Sequence, residues 1–315
     1  MNSSPEASFL KERFRFKQSR LEANFLLFNV QARNFKNMDN LVVINCFLNV
    51  PLMLISIIAN PLILVAIVRT PSLRSPSTVF LCSLAVSDLL VGLVVQPVYI
   101  AYELKRGPVL LRAASTLFGI ACGVSLCTMT VISLDRFLAL HYHMRYPNLM
   151  TEKRALYTSA AIWSGCIFVS CLSLWYKSYA ALAVSTAVCL VISLFSYIRI
   201  YLIVCRHQQQ IHAQQQAVHG LNAEHNPHMA QSKRSAVNTF IYYICMILCY
   251  TPFVVLMLIR AFNPTFRRHS WDFKETCTFV NSSINPFIFC WRLRELRNAV
   301  LTTLRQFLRK QTQGN

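Results

Sequence analysis

The sequence predicts an all-α membrane protein, a bundle of seven transmembrane helices followed by a short amphipathic helix. Three observations carry that expectation. Of the 315 residues, 55% are hydrophobic and only 14% charged, which is too apolar for an ordinary soluble domain of this length. Uncharged runs recur at the length a helix needs to cross a hydrocarbon core, about 20 residues at about 1.5 Å each. None alternates apolar and polar residues in pieces of about ten, the mark of an outer-membrane barrel, so helices remain the way to satisfy every backbone group in lipid.

The first run is Leu41 to Val68. The third to sixth are Ala113 to Leu134, Ala155 to Tyr176, Ser178 to Ile198 and Ser235 to Ile259, and all five lack Asp, Glu, Lys and Arg. The second, Thr78 to Tyr102, is apolar except for Asp88, and the seventh, Thr276 to Trp291, needs Phe273 to Glu275 to complete a span. Trp175 lies near the end of the fourth run, where an interfacial anchor belongs. Pro51, Pro61, Pro97, Pro252 and Pro286 each free a backbone carbonyl and kink or start a helix, which transmembrane bundles tolerate. The 12 cysteines fall almost entirely inside the runs and read as small core residues, not as a disulfide framework.

The chain thus divides into a basic N-terminal tail over 1–40, a bundle over 41–291 with an inner loop at 206–232, and a terminal segment over 292–315. Between Trp291 and Lys310, Leu293, Leu296, Val300, Leu304 and Phe307 form one stripe, with the arginines mostly off it, so this helix should lie on the inner leaflet. The inner loop holds two Gln triplets and five His, but the irregular spacing and the absence of a Cys or carboxylate cluster favour a solvated loop over a metal site.

Seven spans place the termini on opposite sides, and loop Lys and Arg mark the cytoplasm. The bias would put the C-terminus inside and the N-terminus outside, were it not for Lys11, Arg13, Arg15, Lys17, Arg20, Arg33 and Lys36 in the tail. The hypothesis that resolves this is translation from Met38. Intact-protein mass spectrometry tests it: a mass beginning at Met38 is expected, and one beginning at Met1 ends the idea.

A charge inside the bilayer costs at least about 2.5 kcal/mol at its centre, so each calls for a partner or a function. Asp88 stands alone mid-span, with nothing cationic at comparable depth. Asn60, Ser125, Asn281, Ser282 and Asn285 can compensate it, either by caging a small hard cation or by bonding a protonated carboxyl in a structural network. Asp135 and Arg136 close the third run, where they reach interfacial water and pair, or serve only as a stop signal.

At this point the chain resembles the rhodopsin-like (class A) G-protein-coupled receptors from Leu41 to Lys310. The ordered matches are Asn60; Leu84-Ala85-Val86-Ser87-Asp88; Asp135-Arg136-Phe137; Trp163; Tyr197; Cys249-Tyr250-Thr251-Pro252; and Asn285-Pro286-Phe287-Ile288-Phe289. The resemblance implies a sodium pocket at Asp88, Ser125, Asn281, Ser282 and Asn285, which shifts the Asp88 reading towards an allosteric Na+. It implies that Arg136, with Asp135 and Tyr197, meets a heterotrimeric G protein, and that Tyr250, Pro252, Pro286 and Phe289 form an activation switch. Plasma-membrane localisation, contact with membrane lipids and the absence of a nucleic-acid partner follow as expectations.

Departures from the family pattern are informative. The usual disulfide cannot form, because the outer end of the third helix offers Leu111 and the loop after the fourth has shrunk to about Trp175 to Ser178. Cys189 stands where the fifth helix usually has proline. Both losses look like the melanocortin, lysophospholipid, cannabinoid and adenosine receptor cluster. Tyr250 replaces the sixth-helix tryptophan, and Phe289 has no hydroxyl to reach Tyr197 through water.

The ligand is an extracellular small molecule, lipid or peptide that the sequence does not name. Phe118, where amine receptors carry aspartate, argues against a biogenic amine, and Phe279, where light-sensing relatives carry the retinal lysine, argues against an opsin. Phe118, Phe253 and Met257 are expected to line a pocket, and Glu103 and Glu275 either hold a cationic ligand group or snorkel to water. Rival readings are a non-signalling decoy, suggested by Phe137, Tyr250 and Phe289, and an ion-coupled transporter, disfavoured by the lack of an internal repeat. No HExxH, GxSxG or paired-carboxylate motif supports an enzyme.

Overall fold

The computed structural model describes residues 40–142, 145–176, 180–218, 243–259 and 273–313. The basic tail expected over 1–40 lies outside these, apart from Asn40. Among the described residues every element is helical.

The helices are α1 (Asn40–Arg69), α2 (Pro76–Lys105), α3 (Pro108–Tyr142), α4 (Glu152–Trp175), α5 (Ala180–Val218), α6 (described over Tyr243–Ile259), α7 (Lys274–Arg292) and α8 (Arg294–Gln313). They match the seven spans read from the sequence, with α8 as the amphipathic helix. Five spans, α1 to α4 and Ala181–Arg206 of α5, are long and apolar enough to cross a membrane. The described part of α6 is shorter, and α7 carries the polar face of the bundle.

Local chemistry explains the helix breaks. In α2 a single π turn, Val91–Val95, comes just before Pro97, where the proline ring removes a backbone donor and the helix must widen. Arg106 ends α2 in a left-handed conformation, φ 50°. Thr151 caps α4 by accepting a 3.4 Å bond from the Arg154 amide. Pro51, Pro61 and Pro286 sit inside α1 and α7.

Two boundaries differ from the sequence reading. The segment read as an inner loop from 206 begins as helix, because α5 continues to Val218. Its Gln and Ala residues favour helix, and no glycine or proline occurs before Gly220. The amphipathic segment is not continuous from Trp291: Leu293 is extended, φ −104° and ψ 98°, so α7 ends and α8 starts on a new axis. Leu296, Ala299 and Val300 of α8 are then buried, and α8 packs on α1.

The third helix is the axis of the bundle. Of its most apolar stretch 67% is buried, against 17% for α4, and α2, α4 and α5 all pack on it. Phe80, Leu84, Met129, Met246 and Ile288 fill the lower core. At Gly92 a Cβ would lie 3.0 Å from Ser56 Cβ and 3.1 Å from Met53 O, so the missing side chain is what lets α1 and α2 approach.

Hydrophobic driving force is absent between helices in lipid, so polar contacts fasten α1 to its neighbours. Asn49 donates to Thr276 Oγ1 at 2.8 Å, Thr276 donates to Asn45 Oδ1 at 2.5 Å, and Asn45 donates to Tyr99 Oη at 2.9 Å. Gln96 adds contacts of 3.4 Å to Asn49. Replacing Asn49 by Leu should lower the thermal unfolding midpoint in detergent, since an interhelical bond in a membrane protein contributes about 0.6 to 1.7 kcal/mol. A midpoint equal to the native one would show that the network contributes nothing.

Candidate functional site

Asp88 lies in α2 three residues before the π turn and is fully buried. Ser125 of α3 donates to its Oδ1 at 3.0 Å, and Asn285 of α7 donates to its Oδ2 at 2.8 Å. The Ser282 hydroxyl also hydrogen-bonds the carboxyl. Three helices therefore converge on one carboxyl group. Asn285 follows Ser282 by three residues, which puts both on the same face of α7, next to the ring of Pro286.

Two other residues grouped with Asp88 from the sequence do not touch it. Asn60 bonds the carbonyls of Ser56 and Ser282, at 3.1 and 3.3 Å, so it ties α1 to α7. Asn281 turns towards Met129 Sδ, 3.7 Å away.

The donor set around Asp88 is entirely oxygen apart from the Asn285 amide nitrogen. Asn285 Oδ1 is buried and has no hydrogen-bond partner among the described residues. An orphaned amide oxygen beside a carboxylate and two hydroxyls is the chemistry that a small hard cation completes. The residues present fit such an ion.

At the other end of α3, Asp135 is 1% exposed, and its carboxylate accepts from Ser77 and from Tyr146, each at 2.6 Å. Tyr146 lies in the single helical turn Tyr146–Leu149 between α3 and α4. Its phenol pKa is raised, first by burial and then by donation to Asp135. Arg136 keeps only a 3.9 Å approach to Asp135, and its side chain is 39% exposed. It lines an open cavity of about 430 Å3 with Leu73, Leu81, Arg292 and Leu296.

Tyr197 of α5 is buried, accepts from Ser133 at 2.9 Å and packs against Tyr243 of α6 with ring centroids 4.9 Å apart. Tyr243 escaped the sequence reading. It lies outside the quoted motif positions, and only the packing of α5 on α6 brings its ring to Tyr197. Tyr250 donates to Cys122 O at 3.3 Å, one turn of α3 from Ser125. Phe289 is buried in the lower core with Ile288. Trp163 Nε1 donates to Ser83 at 3.1 Å and joins α4 to α2.

Towards the opposite end, Phe118, Phe253, Met257 and Glu275 line one cavity of about 160 Å3 with Tyr99, Tyr102 and Phe279. Phe118 stacks at an angle on Phe253, centroids 5.2 Å apart. Glu275 pairs with Lys274 at the rim. Glu103, read from the sequence as either holding a cationic ligand group or snorkelling to water, is 4% exposed and accepts from Arg106 Nη2 at 2.6 Å, because the left-handed turn at Arg106 folds that guanidinium back over α2. It is absent from the cavity wall.

Sequence reasoning also passed over Ser77, Tyr146 and the Asn45, Asn49, Gln96 and Thr276 cluster. The cluster did leave a signal, two asparagines four residues apart in an uncharged span. Ser77 and Tyr146 left none, being single hydroxyls in a polar stretch.

A helical membrane bundle with a carboxylate buried at its centre and an arginine at one mouth defines a class of multi-pass proteins. Within it, residues 59–189 and 175–289 match the model of the 7 transmembrane receptor (rhodopsin family). The chain belongs to that family, and its architecture is the seven-helix receptor bundle.

Proposed function

We propose that the protein passes an extracellular signal to a heterotrimeric G protein, with Arg136 as the contact on the cytoplasmic side. One observation carries this reading: Ser77 and Tyr146 together take both oxygens of Asp135, so Arg136 is left 39% exposed in an open cavity. A permanently charged, planar fork of donors in that position suits backbone carbonyls of an inserted partner segment. The loop charges support a cytoplasmic C-terminus and an outer N-terminus in the plasma membrane.

The ligand reading follows from the outer cavity. Its walls are aromatic and aliphatic, with Glu275 and Lys274 at one end, so it favours an apolar ligand with a small polar group. Asp88, Ser125, Ser282 and Asn285 Oδ1 would hold an allosteric sodium ion between the cavity and the Arg136 end, where a ligand that shifts α3 against α7 would alter the cage.

The test is ligand-free activation of a panel of G proteins in cells, comparing the native chain with Arg136→Ala at matched surface expression. Activation that disappears in Arg136→Ala is expected. Activation that survives the substitution would overturn the role of Arg136, and silence of both chains even with Tyr243 and Tyr250 intact would favour the decoy reading.

A further inference from the structure

The ion pair in the wall of the outer cavity says more about the ligand than that it carries a small polar group. Lys274 and Glu275 open α7 side by side, and both line that cavity together with Phe118, Phe253 and Phe279. Their side chains are 10% and 20% exposed, so the pair is set into the wall and does not stand out in solvent. No other charged residue is among the described residues of the lining.

Glu275 has a structural reason to be there, because an acid in the first turn of a helix meets the positive end of its dipole. Lys274 sits in the same turn with the opposite sign, and the helix end repels it. A lysine ammonium has three donors, and among the described residues its ion-pair partner is Glu275, through Oε1. A ligand oxygen can take a remaining donor, and a ligand N–H can use the second carboxylate oxygen of Glu275.

The rest of the cavity sets the body of the ligand. Between ring centroids, Phe118 lies 5.2 Å from Phe253 and 5.8 Å from Phe279, and Tyr99 lies 5.4 Å from Phe279, the last two pairs edge to face. Walls of ring edges and faces favour an aromatic guest, whose own quadrupole they complement. Volume sets its size. An apolar cavity of about 150 Å3 takes up one benzene, and this one measures about 160 Å3.

We propose that the ligand is a zwitterion with one aromatic ring, an aromatic α-amino acid or a molecule of that build. Its carboxylate meets Lys274, its ammonium meets Glu275, and its ring lies among Phe118, Phe253 and Phe279. An α-amino acid carries both charges on one carbon, so its dipole lies antiparallel to that of the pair and leaves neither protein charge alone. A ligand with a single charge fares worse. An anion about 3 Å from the Lys274 ammonium lies about 5 Å from the Glu275 carboxylate, and the repulsion then cancels about 60% of the attraction. The same holds for an amine with the signs exchanged. This names the ligand class of the proposed receptor and rests on that reading for its signalling consequence; binding itself does not depend on it.

The experiment uses the full chain in nanodiscs of neutral phosphatidylcholine and radiolabelled L-phenylalanine as the probe. Saturable binding is expected. The acid 3-phenylpropionate and the amine 2-phenylethylamine keep the ring and one charge each, and should bind about tenfold or more weakly, since each forgoes one charge-assisted contact. Glycine, which keeps both charges and lacks the ring, should compete no better than these. Substitution should reorder the three ring compounds, each labelled in turn. In Lys274→Gln the amine should bind more tightly than phenylalanine, and in Glu275→Gln the acid should, a reversal that a purely structural role of the pair would not produce. Glu275→Gln keeps the shape of its side chain, so it reads out the charge even where Lys274→Gln fails to fold. Arg136→Ala, at the opposite end of the bundle, should bind phenylalanine as the native chain does, so a failed receptor reading and a failed ligand site give different results. No saturable binding of phenylalanine, equal binding of the three ring compounds, or an order unchanged in Glu275→Gln would overturn the inference.

Discussion

The Asp88 carboxyl is the constraint around which the bundle is arranged. A charge or an unpaired polar group at that depth is destabilising by several kcal/mol in hydrocarbon, and no single helix can compensate it. Partners must come from two other helices at once, Ser125 from α3 and Ser282 with Asn285 from α7. That requirement fixes the rotation of α7 about its axis and its height against α2. Pro286, following Asn285, sits inside α7 next to the site.

From that anchor the remaining polar contacts read as a continuation towards both membrane surfaces. Asn60 and the Ser56–Ser283 pair, 3.2 Å apart, fasten α1 to α7 beside it. Farther along α1, the Asn45, Asn49, Gln96 and Thr276 cluster repeats the arrangement. At the opposite end of α3, Asp135 is held by two hydroxyls from the start of α2 and the turn before α4. Each of these joins elements that apolar packing alone would leave free to slide, because lipid is as good a solvent for leucine as a neighbouring helix is.

Much of this was legible in the sequence. Spans, Asp88 and Arg136 stand out because charge is rare among apolar runs, and Ser125 and Asn285 stand out as a hydroxyl and an amide able to compensate Asp88, which the family resemblance then groups with it. What could not be read was which way a given side chain turns. Asn281, Ser282 and Asn285 share spacings that place all three roughly on one helix face, yet Asn281 faces Met129. Glu103 looked like a residue reaching for water, and only the left-handed turn at Arg106 shows that its partner comes from its own helix end. Gly92 carries no pattern at all; its meaning is the close approach of α1, which exists only once α1 and α2 are packed.

The oxygen cluster at Asp88 either holds an ion or is a hydrogen-bond network alone. Thermal unfolding of the purified chain in sodium chloride, against the same ionic strength of a bulky organic cation, measures this directly, with Asp88→Asn as the control. Sodium should raise the melting temperature of the native chain and leave that of Asp88→Asn unchanged. An absent rise, or the same rise in both, would show that Asp88 holds no sodium.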